Sequence, residues 1–454
     1  MTVDLLALLA TNAAFAAAGL GVSRAVGWWG DRRSWLAALP LAYLVGVAAY
    51  GVAAQLLLVL GLSLAAWQVL VLCGLLAATG LAGGGAPPHR LPPRTWLAAP
   101  ALAMLLLLAL DLWFQPLWSY DAWVFWVPKG QALVDLGGLD VSWFTGADLM
   151  NPDYPMLLPA IEAAGFRIGG YETQMLDLQG WLMLVALVGV VAQLAAERSR
   201  TLATWAVLTM LVFAPATIDQ LAESEADIPL GTLFAAAGLC GWLWLVGRDR
   251  AALALAAVLG AGVAATKVEG IAFVAGLFAV LAVLGALHAR RDALLPIVAG
   301  LAALALGVLP WRLWLAAHDV ENQASIGRVT DVGTLADDAG RVPKSLAVLA
   351  GELLDPRRWL LLLPFAAFAV VLAARRGRRA EAAFVAAVVA LGLAGLALAY
   401  WTTPFDLQTH LDRSASCGST SRNGVSAAAK STSPVTTRRA ERSRCVWRSN
   451  GVVQ

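Results

Sequence analysis

Long apolar runs recur along the whole chain and constrain its fold more than any other feature. A bilayer is crossed by a helix of about 20 mainly apolar residues, and runs of this length recur from the N-terminus to about residue 401. Hydrophobic residues make up 60% of the 454 residues and charged residues only 14%, with a mean hydropathy of +0.72. Because soluble globular proteins do not have this composition, the sequence predicts an all-α, polytopic membrane protein.

The breaks between these runs predict about twelve membrane-spanning helices. Gly61 and Ser63 split one long apolar run, and the stretch 83–93 is rich in Gly and Pro. The first run lacks the basic segment that precedes the apolar part of a cleavable signal peptide, so it is predicted to be the first span. The predicted spans are 4–22, 35–58, 62–82, 96–114, 176–196, 201–216, 228–247, 251–266, 270–288, 293–316, 359–374 and 381–401.

Basic and acidic residues alternate between successive connections. Arg residues occupy every second connection, beginning with Arg24 after the first span, whereas acidic residues collect in others, notably 115–175 and 219–227. Lys and Arg near the ends of spans are retained on the cytoplasmic side. The charge pattern therefore predicts that the acidic connections and the N-terminus face outward.

The connection after the fourth predicted span, residues 115–175, is too long for a simple link, because most helix connections take about two to eight residues. Its first part, from Trp118 to Lys129, is aromatic and contains Asp121. A turn and then a short amphipathic helix are predicted from 151 to 168. We therefore expect surface-lying helices with a carboxylate between them, and such carboxylates in membrane proteins usually serve a function.

Residues 413–454 differ in composition from the rest of the chain. They are rich in Ser, Thr and Arg and carry eight basic residues against one acid, Glu441. No apolar period that could build a core is present. A disordered interaction tail and a shifted reading frame both account for this composition, and we favour the shifted frame.

Three sequence features together resemble the GT-C superfamily of integral-membrane glycosyltransferases, which includes protein O-mannosyltransferases and the lipid A aminoarabinose transferase. Asp121 stands in a Tyr-Asp-Ala-Trp sequence just after a span, residues 151–155 read Asn-Pro-Asp-Tyr-Pro, and residues 223–229 read Glu-Ser-Glu-Ala-Asp-Ile-Pro. The resemblance covers most of residues 96–412. The chain departs from the family in its three additional N-terminal spans and in its aberrant C-terminal end.

The resemblance implies an inverting transfer of a sugar from a polyprenyl-phosphate donor to a glycan, lipid or protein acceptor outside the cytoplasmic membrane. A carboxylate within reach of the attacking hydroxyl accepts its proton, and we predict that Asp121 is this catalytic base. Cations stabilise the departing phosphate, and Lys129 and Lys267 are the candidates. Glu225 and Asp227 are the candidate ligands of a divalent metal, Mg or Mn.

Further predicted substrate contacts are Asp153, Tyr154, Glu269 and His410. The predicted domains are the extra N-terminal spans in 1–95, the catalytic membrane module in 96–412 with its outer loop 115–175, and the tail 413–454.

Each candidate also has a purely structural explanation. Asp121 is suited to capping a surface helix and Asp227 to capping the span that begins at Ile228. Lys267 and Glu269 are close enough in sequence to form a local ion pair. Lys129 has the length to reach the lipid headgroups with its amine. Asp153 and Tyr154 are typical turn residues, and we favour this interpretation over substrate contact. For His410 we favour a solvated loop position over a role in the donor or acceptor site.

Two other function classes remain open at this point. A secondary transporter has a similar number of spans, but its functional charges usually lie near the middle of the bilayer. A truncated product without activity is the other alternative. The sequence contains no nucleic-acid signature, no Gly-rich phosphate loop and no zinc-ligand spacing, so these classes are set aside.

Overall fold

The computed structural model describes residues 2–28, 35–82, 96–146, 151–172, 174–196, 201–288, 293–320 and 332–402. These residues form helices without a strand among them, which confirms the all-helical prediction, and they belong to one compact unit, Met1–Thr403. The helices are α1 Thr2–Ala25, α2 Trp35–Val59, α3 Ala66–Ala78, α4 Ala99–Phe114, α5 Val127–Asp135, α6 Val141–Phe144, α7 Leu157–Gly169, α8 Gln174–Ala196, α9 Thr201–Phe213, α10 Pro215–Ala222, α11 Asp227–Gly247, α12 Arg250–Ala264, α13 Glu269–His288, α14 Leu294–Ala317, α15 Val332–Asp337, α16 Arg341–Leu354, α17 Pro356–Trp359, α18 Leu362–Arg375 and α19 Arg379–Thr402.

Eight helices within the described ranges are long and apolar enough to cross a membrane. They contain the segments Leu5–Ala25, Ala38–Val59, Trp96–Phe114, Gln174–Leu194, Asp227–Gly247, Glu269–Leu287, Leu294–Ala317 and Arg379–Leu398. Helices α9 and α10 pass the same test together but are bent by 51° where Pro215 begins the second helix. The chain is therefore a multi-pass membrane protein with eight candidate spans, or nine if the bent pair is one span.

The prediction of about twelve spans is not confirmed, although each of the twelve predicted segments contains a helix. Helices α3, α12 and α18 have 13, 15 and 14 residues, fewer than the ~20 that a crossing usually requires. Backbone turns shorten two of them: Gly61 has a φ of 79° before α3, and Leu360 has a φ of 55° before α18.

Small residues let the first two helices pack closely. A Cβ atom added to Gly19 would lie 1.6 Å from the carbonyl oxygen of Ala42, and one added to Gly46 would lie 1.8 Å from that of Phe15. Such close backbone approach between helices in a membrane depends on small residues. Helices α1 and α2 thus join the same core as α7, α11, α12 and α14.

Helix α7 forms where the sequence predicts the amphipathic helix, but the structure corrects its position. Every residue from Leu157 to Phe166 is buried, so this helix is enclosed by protein and does not lie on a surface. The amide of Leu157 donates to the carbonyl of Ala265 at 3.0 Å. The side chain of Gln55 accepts from the amide of Met156 at 3.1 Å and donates to the carbonyl of Gly307 at 2.9 Å. These bonds fix the start of α7 to α2, α12 and α14.

Candidate functional site

Two acidic segments that are distant in sequence meet at one end of the helix bundle. Ser119, after α4, donates a hydrogen bond to Oε1 of Glu225 in the turn between α10 and α11. Gln115 donates to the carbonyl of Ala222 at 3.4 Å. Ser224, in the same turn, donates to the carboxylate of Asp177 at the start of α8. The segment 115–121 and the segment 222–227 are therefore joined directly.

The carboxylates of these two segments influence one another. Burial raises the pKa of Glu225 to about 7, and the charges of Asp121, Glu223 and Asp227 add to this effect, while the hydrogen bond from Ser119 opposes it. Burial likewise raises the pKa of Glu223 to about 7, and the negative charges of Asp227, Asp219 and Asp121 add to the rise. Near neutral pH these two side chains are therefore poised to gain or lose a proton.

The backbone around the cluster departs from regular helix. Ser224, between the two glutamates, has a φ of 54° in the left-handed region, which is uncommon for a residue other than glycine. Asp121 immediately precedes a π-helical turn, Ala122–Trp126, which continues into α5. Single π-helical turns occur frequently at functional sites.

Lys267 supplies positive charge beside this cluster. It follows α12 and pairs with Asp227, the first residue of α11, with 3.0 Å between Nζ and Oδ1. Burial disfavours the charged amine, but the attraction of Asp227 and Glu269 and the hydrogen bond to Asp227 outweigh it. The pKa of Lys267 is therefore well above its usual value. The ammonium is therefore positively charged, and the side chain keeps 18% of its surface exposed.

Tyr154 forms an aromatic wall next to Lys267. Its ring stacks on that of Phe125, with 5.7 Å between centroids and 5° between planes, and lies 5.4 Å from that of Trp126. Phe125 and Trp126 belong to a small buried cluster with Leu158 and Ala226. Burial raises the pKa of the Tyr154 phenol, and the charge of Glu269 adds to the rise, so the hydroxyl is a neutral donor.

Lys129 and Asp153 lie in the protein interior. Both residues are fully buried, and Lys129 donates from Nζ to the carbonyl of Asn151 at 2.6 Å. Burial lowers the pKa of Lys129 to about 7, against the attraction of Asp153. Trp311 donates to the carbonyl of Asp153 at 3.0 Å. These contacts agree with the structural explanation for Asp153 as a turn residue, and they place the Lys129 amine inside the protein instead of among headgroups.

The predicted metal ligands are both engaged within the protein. Asp227 accepts from Lys267, and Glu225 accepts from Ser119. In the part of the chain that the structure describes, no three His, Cys, Asp or Glu side chains are grouped as ligands of one metal ion. The donor set of Glu225 and Asp227 thus does not by itself fit a metal site, and metal binding there stays a prediction. His410 lies outside the described residues.

Three residues near the site were not among the sequence candidates. Glu223 lies in the acidic turn between α10 and α11, and Arg358 of α17 lies close enough to oppose the rise in its pKa. The pair Arg357 and Arg358 could have indicated this position from the sequence, because it stands in a connection that the charge pattern predicts to face outward. Glu162 is a lone, buried acid in the apolar helix α7 and lines the same pocket as Ser224 and Glu225.

No known protein family, curated protein or solved structure matches this chain. The site must therefore be interpreted from its own chemistry. It combines a half-buried carboxylate at Asp121, two glutamates with pKa near 7, a charged ammonium at Lys267 and an aromatic wall. Such a set can accept a proton from a hydroxyl and stabilise negative charge nearby.

Proposed function

We propose that the chain is an integral-membrane glycosyltransferase of the GT-C kind, acting at the outer face of the cytoplasmic membrane. The observation that carries the proposal is the junction of two separate acidic segments, marked by the hydrogen bond from Ser119 to Glu225. Catalysis by positioned groups requires them to converge on one substrate. The resemblance of the Asp121, 151–155 and 223–229 motifs to that superfamily gives the donor class, a polyprenyl-phosphate sugar.

In the proposed reaction, the hydroxyl oxygen of the acceptor attacks the anomeric carbon of the sugar. The new carbon–oxygen bond forms as the bond from the anomeric carbon to the phosphate oxygen breaks, and polyprenyl phosphate leaves with that electron pair. Asp121 accepts the hydroxyl proton as general base. Glu225, whose pKa is raised to about 7, tunes the charge around Asp121.

Lys267 has the second role in this proposal. Its ammonium is charged, its side chain keeps 18% of its surface exposed, and it lies beside the aromatic wall of Tyr154. A fixed positive charge at the departing phosphate stabilises the transition state more than the ground state. Lys129 is buried against Asn151 and Asp153, so we assign it to holding the loop and not to the donor phosphate.

The direct test is transfer of a labelled sugar from polyprenyl phosphate to a membrane acceptor by the purified chain. We expect Asp121→Asn to lower the rate by about 10²–10⁴-fold, the usual contribution of a general base. Asp135→Asn is the matched control, because Asp135 lies in the same loop, is exposed and accepts a hydrogen bond from Tyr171 away from the acidic turn. Full activity of Asp121→Asn would remove the mechanism. Chelation followed by addition of Mg or Mn tests the metal prediction in the same assay.

One observation favours a second candidate, a secondary transporter. Glu162 is a carboxyl group buried among the helices, and transporters place functional ionisable groups in the protein interior. Uptake into proteoliposomes, measured with and without a pH gradient, separates this function from sugar transfer. Uptake without any transferase activity would favour the transporter.

A further inference from the structure

Arginines are concentrated in the short turn between α18 and α19. Four of the five residues from 375 to 379 are arginines with exposed side chains: Arg375, Arg376, Arg378 and Arg379. The amide of Arg378 donates to the carbonyl of Ala373 at 2.9 Å, and that of Gly377, which has a φ of 84°, donates to the carbonyl of Ala374 at 3.2 Å. This pair of bonds is a common way to end a helix at a glycine. The backbone therefore holds the arginines in one defined turn.

The acids near this turn do not balance its positive charge. Glu381, in the first turn of α19, accepts hydrogen bonds from Arg378 and, at 3.0 Å, from the indole of Trp242 in α11. Asp249 accepts from two backbone amides at the start of α12, which it caps. Among the residues that the structure describes, no ion pair is formed by the side chains of Arg375, Arg376 and Arg379.

The bond between Trp242 and Glu381 brings a second basic connection to the same end of the bundle. Trp242 lies near the end of α11, and the connection from α11 to α12 contains Arg248 and Arg250. Arg250 is exposed, and the guanidinium of Arg248 lies 5.1 Å from the centroid of the Trp244 ring, which attracts a cation. The two connections together carry six arginines against two acids.

The helices on either side of the arginine-rich turn expose apolar side chains along their length. These are Phe365, Phe368 and Val371 of α18 and Val385 and Val389 of α19. Helix α19 is long and apolar enough to cross a membrane, so its exposed apolar side chains face lipid hydrocarbon. Arginines at the ends of such helices lie at the level of the headgroups. Lipid phosphates are therefore the anions closest to this turn.

We infer that the arginine patch, defined as Arg250, Arg375, Arg376 and Arg379, binds the phosphate groups of anionic phospholipids. A guanidinium forms paired hydrogen bonds with phosphate oxygens, and clusters of basic residues at a membrane surface bind anionic lipids. The exposed apolar surface beside the patch favours a ligand with acyl chains over a soluble anion. Because the arginines come from two connections, a lipid with two phosphate groups should bind more tightly than a lipid with one. The inference does not depend on glycosyl transfer.

The test uses the full chain in a neutral detergent, with cardiolipin, which has two phosphate groups, as the probe. Native mass spectrometry measures the fraction of the chain that retains a lipid as its concentration is raised. We expect saturable binding of cardiolipin, weaker binding of phosphatidylglycerol and the weakest binding of zwitterionic phosphatidylcholine. Equal binding of phosphatidylcholine would overturn the inference. Displacement of cardiolipin by inorganic phosphate at the same concentration would assign the patch to free phosphate and would also overturn it.

The double variant Arg376→Gln/Arg379→Gln should weaken cardiolipin binding by at least ~10-fold, because each basic residue at an anionic lipid surface contributes about a factor of five. The matched control is Lys344→Gln/Arg357→Gln, which removes two exposed positive charges from the connection before α18 and should leave the affinity within ~2-fold of the wild type. An unchanged affinity in Arg376→Gln/Arg379→Gln, or an equal loss in both double variants, would overturn the inference.

A second measurement decides the question if Arg376→Gln/Arg379→Gln does not fold. The affinity of the wild-type chain for cardiolipin should fall as the salt concentration is raised, because salt screens exposed charges. Arg376→Lys/Arg379→Lys keeps both charges and should still bind cardiolipin more tightly than phosphatidylcholine. Cardiolipin binding that does not respond to salt would overturn the inference.

Discussion

Lys267 and Asp227 form a hydrogen-bonded ion pair, with 3.0 Å between Nζ and Oδ1, across 40 residues of sequence. The pair joins the turn after α12 to the first residue of α11. Glu269, the closer acid in sequence, attracts Lys267 electrostatically, but the hydrogen bond goes to Asp227. The position of the ammonium is therefore set by tertiary structure, beside the segment that contains Glu223 and Glu225.

Replacing Lys267 tests its role with the departing phosphate. We expect Lys267→Met to lower kcat for sugar transfer by about 10²–10³-fold, which is typical when one group that stabilises developing negative charge is removed. Lys267→Arg should retain more activity, because the positive charge remains. The kcat of each variant is measured from initial rates at a saturating concentration of the sugar donor.

Arg378→Met is the control for this substitution. Arg378 also belongs to an ion pair, with Glu381 at the start of α19, whose carboxylate accepts from Trp242 near the far end of α11. Loss of its charge should leave kcat near the wild-type value. If Lys267→Met had a wild-type kcat, Lys267 would have no part in catalysis.

The two glutamates of the acidic turn should make stability depend on pH. Their pKa is about 7 in the folded protein, compared with 4.5 for an ordinary glutamate. Between these values the folded state binds more protons than the unfolded state, so stability should fall as pH rises from about 4.5 to 7. We expect the apparent Tm to drop by a few degrees from pH 5 to 7.5. The apparent Tm is measured in nanodiscs, where the double variant Glu223→Gln/Glu225→Gln should show a smaller drop. The control Glu172→Gln, at an exposed acid after α7, should behave as the wild type. A double variant whose Tm falls with pH as steeply as that of the wild type would contradict the expectation.

The helices could be predicted from the sequence because the length of an apolar run depends only on residues that are neighbours in the chain. The predicted segment 228–247 corresponds to α11, Asp227–Gly247, and 96–114 ends at the same residue as α4. The number of spans could not be predicted equally well, because it depends on where each helix begins and ends. The bend between α9 and α10 and the positive φ of Leu360 are not visible as interruptions in hydropathy.

Part of the candidate site could also be predicted. The resemblance assigned Asp121 and the 223–229 segment to one reaction, and the structure joins the segments 115–121 and 222–227 through the hydrogen bonds of Ser119 and Gln115. The sequence did not reveal that α7 is enclosed by protein, because an amphipathic pattern is the same on a membrane surface and in a protein groove. Nor did it reveal that Asp227 and not Glu269 binds Lys267, since that choice depends on distances between helices.

The close contact of α1 with α2 should make Gly46 intolerant of larger residues. A Cβ atom there would lie 1.8 Å from the carbonyl oxygen of Phe15, which is backbone and cannot move without separating the helices. We expect Gly46→Val to destabilise the protein by more than the ~1–3 kcal/mol usual for overpacking. Gly74→Val is the control, because open space surrounds a Cβ at Gly74 in α3. The two variants are compared by their monodisperse fraction after purification and by their apparent Tm. Equal values for both would argue against the close contact between α1 and α2 at Gly46.

Lys129 should produce the opposite pH dependence, in a higher pH range. Its pKa is about 7 in the folded protein and 10.5 in its ordinary state, so between these values the unfolded state binds more protons. Stability should therefore rise as pH increases from about 7 towards 10. Lys129→Met should flatten this rise, because it removes the only shifted amine whose folded pKa lies in that range among the described residues.

The apparent Tm of both proteins between pH 7 and 10 measures this effect, with Lys344→Met as the control because Lys344 is exposed. Loss of the bond to Asn151 lowers the Tm of Lys129→Met at every pH, so the slope, and not the absolute value, is the quantity to compare. A slope in Lys129→Met equal to that of the wild type would mean that the amine is charged throughout. In that case Asp153 would stabilise it more than burial disfavours it, and the loop 151–155 would be held by a buried ion pair instead of a neutral amine.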